Sequence, residues 1–78
     1  MALDIISEGS YNIISKDELG RGLRINVFKM GGGTYRAFTV YLHDKEELAT
    51  GFGESENDEE AIELSKESLK EEWKIVYG

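Results

Sequence analysis

The sequence predicts an α+β fold, an antiparallel three- to four-stranded β-meander covered on one face by a C-terminal α-helix. Three observations predict it. Leu23, Ile25 and Val27 alternate with Arg24, Asn26 and Phe28, which is the period of a strand. A second alternating run, Thr34 to Leu42, follows Gly31-Gly32-Gly33, so the two runs read as a hairpin closed by residues that accept a positive φ. From Asn57 onward, small and apolar residues recur at helical spacing as far as Val76. A chain of 78 residues supports one such core, so residues 1–78 read as a single domain.

Each element has a local reason. Leu3, Ile5 and Ile6 form an apolar group, and residues 1–14 are left open between strand and helix. Ser7-Glu8-Gly9-Ser10 reads as a turn, and Tyr11-Asn12-Ile13-Ile14 as a short strand rich in β-branched residues. Lys16 to Gly22 is polar with two glycines, hence a loop. Strands are expected over about 22–30 and 34–42, a turn at His43-Asp44-Lys45-Glu46, and a further strand over about 47–52. The helix is expected over about 57–76. Asn57 is its N-cap, with Glu60 placed to close a capping box, and Ser55 with Asp58 repeats the signature two residues earlier.

Ala61, Leu64, Ser65, Ser68, Leu69, Glu72 and Val76 fall on one side of that helix, flanked by Ile62 and Trp73. Phe38, Val40 and Leu42 are expected to meet Leu64, Leu69 and Val76, with Leu23, Ile25 and Val27 on the same side.

The chemistry-bearing residues are sparse. There is no cysteine, so neither a disulfide nor a thiolate metal site exists. His43 is the one histidine and reads as a turn residue, and no serine is marked as its partner. No catalytic residue, cofactor or metal is therefore expected, and the chain is not read as an enzyme. Glu54, Glu56 and Asp58 alternate like calcium ligands, but Glu59 stands where such a loop needs glycine. The three glycines lead into a strand rather than a helix N-terminus, so they are not read as a phosphate loop. No apolar run approaches the roughly 20 residues of a membrane span, and Met1 to Ile6 lacks a basic leader region. A cytoplasmic protein is expected.

Charge carries the remaining information. Residues 43–78 hold twelve acids against four bases, whereas residues 1–42 hold four acids and five bases. The net charge of -7 therefore sits at one end. Arg21, Arg24, Lys29 and Arg36, interleaved with Tyr35 and Tyr41, have the composition of a single-strand binder, but repulsion from phosphate opposes direct nucleic-acid binding. A basic protein partner, a nuclease or a toxin, fits better. The expected contact surface is Glu54, Glu56, Asp58, Glu59 and Glu60, with Glu63 and Glu67 along the exposed side. A homodimer through a sheet edge is also compatible.

Ala49-Thr50-Gly51-Phe52-Gly53-Glu54-Ser55, with Ala61, Ser65 and Leu69 behind it, resembles the last strand and final helix of a double-stranded RNA-binding domain. That family opens its helix with phosphate-gripping lysines, and this chain has Asp58, Glu59 and Glu60 there. Thr50-Gly51, Glu54 and Glu59-Glu60-Ala61 resemble the strand, glycine-acid turn and helix start of HicB-type antitoxins, without their proline-containing segment. That resemblance implies neutralisation of a small basic RNase. In size and acidity the chain is also similar to small phage-encoded inhibitors of nuclease and CRISPR complexes, which implies a polyanion mimic.

Overall fold

The computed structural model describes residues 7–78. The apolar group Leu3, Ile5 and Ile6 lies outside the described residues. Four strands, β1 (Ser7–Lys16), β2 (Gly22–Met30), β3 (Tyr35–Tyr41) and β4 (Gly51–Ser55), form one antiparallel sheet in chain order. One helix, α1 (Asp58–Tyr77), packs mainly across β3 and β4.

Two turns of one type set the register. In the second, the Met30 N–H donates to Thr34 O (2.8 Å) and the Gly33 N–H to Met30 O (3.3 Å), with Gly33 at φ +88°. In the first, the Asp17 N–H donates to Arg21 O and the Gly20 N–H to Asp17 O, with Gly20 at φ +81°. Each is a three-residue loop whose last residue takes a left-handed conformation that glycine adopts without a Cβ clash. Asp17 completes the first by accepting from the Leu19 and Arg21 N–H groups and from Arg21 Nε.

A three-residue loop pairs odd positions with odd positions, and this decides the core. Leu23 lies opposite Tyr41, Ile25 opposite Thr39 and Val27 opposite Ala37. All six are buried, and the helix covers them with Ala61, Ser65 and Leu69. The expectation that Phe38, Val40 and Leu42 meet the helix is thus corrected, because they belong to the opposite sheet face. Phe38 stacks there between Phe28 (5.9 Å) and Phe52 (5.1 Å), and Leu42 is largely exposed. Leu64 and Val76 are likewise exposed, and Trp73 packs on the core instead.

The helix sits on backbone. A Cβ on Gly51 would fall 2.0 Å from Ser65 O, and one on Gly53 2.2 Å from Ala61 O. Small residues on both sides permit this approach, and Thr39 and Ser65 join hydroxyls across it.

Two further expectations change. Ser7 to Ser10 belong to β1, not to a turn, so the strand covers 7–16 rather than 11–14. The expected strand over 47–52 begins only at Gly51. Asp44 explains the delay: its carboxylate accepts from the Ala49 N–H (3.2 Å) and the Tyr77 hydroxyl (2.8 Å), which holds residues 44–49 as a loop. Glu47 there has φ +52°, which no regular strand accommodates.

Candidate partner-binding face

The start of α1 follows from both capping signatures used together. Asn57 Oδ1 accepts from the Glu60 N–H (3.2 Å). Ser55 Oγ accepts from the Asn57 N–H (3.1 Å) and donates to the Glu60 carboxylate. Glu60 thus closes the cap through Ser55 rather than directly on Asn57. Asp58, Glu59 and Glu60 occupy the first turn, where the helix dipole favours negative charge.

The seven acids expected to form the surface divide into two groups. Glu54 lies on the face away from the helix, paired with Arg36 at 3.0 Å. Asp58 accepts from the Tyr11 hydroxyl at 2.9 Å and from the Glu59 N–H. Glu60 belongs to the cap. These three serve the fold. Glu56, Glu59 and Glu67 are exposed and their carboxylates accept no hydrogen bond among the described residues, while Glu63 has only a 3.8 Å pairing with Lys66.

Glu71, which the sequence reading left out, completes the pattern. Glu59, Glu63, Glu67 and Glu71 recur every fourth residue, all exposed, so their carboxylates form a row spaced about 6 Å apart along the helix. The fourfold spacing was visible in the sequence.

Two electrostatic consequences follow from the same packing. The Tyr11 phenol is pushed up to about 12, first by desolvation and then by its hydrogen bond to Asp58 and that carboxylate's charge. At the other end, Glu18 binds Lys70 at 3.0 Å. The Glu18 carboxyl is lowered, by its own backbone N–H first and then by Lys70, and the Lys70 ammonium is raised by Glu18.

A cleft of about 500 Å³ lies beside that bridge, with Leu23 and Tyr41 among its lining residues. Lys16, Lys66 and Lys70 line it together with Asp17, Glu18, Glu63 and Glu67, a mixture that favours neither sign of ligand.

The basic and aromatic residues of the hairpin do not form one surface. Tyr35 and Tyr41 face the helix, and Tyr41 is buried beneath Arg21, which stands 4.7 Å over its ring. Arg24 and Arg36 point the other way, each held by a glutamate, Glu47 at 2.5 Å and Glu54 at 3.0 Å. His43 stacks against Tyr41 and Trp73. Among the described residues, no helix is long and apolar enough to cross a membrane. No family model matches this chain, and neither a curated protein nor a solved structure matches it.

Proposed function

We propose that this chain is a small acidic protein-binding module that occupies a basic site on another protein, in the manner of a polyanion mimic. One observation carries the reading: the row Glu59, Glu63, Glu67 and Glu71 is exposed along one helix face, with a 3.8 Å contact from Glu63 to Lys66 as its one ion pair among the described residues. Like charges four residues apart cost a helix about 0.2–0.5 kcal/mol per pair. A surface that retains three such pairs suits a partner that supplies the opposite charge. The helix bearing them is seated on the Gly51 and Gly53 backbone, so the row is presented rigidly. Rigid presentation lowers the entropy lost on binding.

The partner class is a nuclease, a nucleoprotein complex or a small basic RNase toxin, all of which carry cationic grooves for phosphate. The test is capture of a basic partner from lysate, followed by measurement of its association rate against ionic strength. Reversal of Glu59, Glu63 and Glu67 to Lys is expected to slow association strongly at low salt and less at high salt. Equal binding by the reversed protein at low ionic strength would remove the acidic row from the interface and end the mimic reading.

A further inference from the structure

Strand β1 closes one edge of the sheet, and its ladder runs only to β2 among the described residues. At ten residues it is twice the length of β4, the other edge. Natural edges are blunted by proline, charge or central bulges. From Gly9 to Ser15 this edge has neither proline nor charge, and its register is regular, the one irregularity lying between Ser7 and Gly9.

The direction of its free groups follows from the ladders. The bonds from Met30 N to Thr34 O and Leu42 N to Gly22 O place even-numbered residues of β2 in its hydrogen-bonded pairs with β3. Alternation then turns the odd-numbered residues of β2 toward β1, as the bond from Asp17 N to Arg21 O at the adjoining turn requires. In β1, odd residues therefore bond β2. Ser10, Asn12, Ile14 and Lys16 direct their N–H and C=O groups outward.

We propose that this edge pairs antiparallel with β1 of a second copy, about a two-fold axis at Asn12, to make a continuous eight-stranded sheet. The edge is self-complementary about that axis. Asn12 meets Asn12 and Ser10 meets Ile14, an uncharged pairing within the regular stretch from Gly9 to Ser15. Pairing also covers Ile14 and Tyr11, which are 65% and 40% exposed in the single chain. Among the described residues the helix packs over β3 and β4, clear of the β1 edge. The two-fold arrangement is the commonest closed assembly and needs no other component. Net charge of -7 on each copy opposes association, so pairing is expected to strengthen with salt.

The experiment is sedimentation of the full chain over a concentration series, with amide exchange read residue by residue. The expected result is a dimer in which the Ser10, Asn12 and Ile14 amides become protected as concentration rises. Asn12→Pro removes an outward N–H and leaves the β1–β2 ladder intact, so it is expected to give a folded monomer. Asn12→Asp sets two carboxylates opposite each other at the axis and is expected to weaken the dimer more at low salt than at high, which tests the register even if the proline variant fails to fold. A wild-type chain that stays monomeric throughout the series overturns the proposal. So does a dimer in which those three amides exchange as fast as in dilute solution.

Discussion

Thr39 Oγ1 and Ser65 Oγ lie 2.6 Å apart, both fully buried, where the helix crosses the sheet. The Ser65 hydroxyl spends its proton on Ile62 O (2.7 Å), so Thr39 must be the donor between the two. This asymmetry orders the mutants. Ser65→Ala leaves a dry Thr39 hydroxyl without an acceptor and is expected to cost about 1–3 kcal/mol. Thr39→Val keeps the shape and leaves Ser65 bonded to Ile62, so it is expected to cost less. In the Thr39→Val background, Ser65→Ala becomes nearly neutral, which a double-mutant cycle by urea unfolding would register.

Gly53→Ala and Gly51→Ala insert a Cβ against helix backbone, which cannot rotate away as a side chain can. Either is expected to remove most of the stability of so small a domain, about 3–5 kcal/mol in all. Gly32→Ala, whose Cβ meets nothing within 4 Å, is the control and is expected to melt near wild type. Thermal unfolding by circular dichroism separates the outcomes.

Alkaline pH tests the bridge from β1 to the helix start. The Tyr11 phenol stands near 12 in the fold against an ordinary value of 10, so the folded state favours its neutral form. The resulting stabilisation is complete below pH 10 and disappears as pH rises through 12. Wild type should therefore lose its advantage over Tyr11→Phe in that window. Urea unfolding of both proteins across it would reveal any absence of convergence.

Glu67→Lys replaces a carboxylate flanked by Glu63 and Glu71 at fourfold spacing, and so relieves two repulsions. A gain of about 0.4–1 kcal/mol is expected from the two pairs. Partner association should fall at the same time. A variant that loses stability would show that the row is not under mutual repulsion.

Asp44→Ala removes the acceptor for both the Ala49 N–H and the Tyr77 hydroxyl, which frees the loop before β4 from the end of the helix. Hydrogen bonds to a charged acceptor contribute about 1.5–3 kcal/mol. Tyr77→Phe, which removes only one of them, is expected to cost less. Exchange of the Ala49 amide should accelerate in the first variant and not in the second.

The kinds of element and their order are legible in the chain, because alternation at Leu23 to Val27 and fourfold spacing at Ala61, Ser65 and Leu69 are local properties. It also held the parity of the hairpin. Three loop residues align Leu23, Ile25 and Val27 with Tyr41, Thr39 and Ala37, although hydrophobicity alone favours Phe38, Val40 and Leu42. The division of the acids was not legible, since Arg36, Tyr11 and Ser55 reach Glu54, Asp58 and Glu60 from other elements. Which face of β3 the helix takes is set by packing across neighbouring strands, which no local pattern contains. Thr39 and Ala37 lie beside Gly51 and Gly53, and there alone do small residues line up across two strands. A helix of Ala61 and Ser65 can approach backbone on that face, whereas Phe38 and Phe52 hold it off on the other.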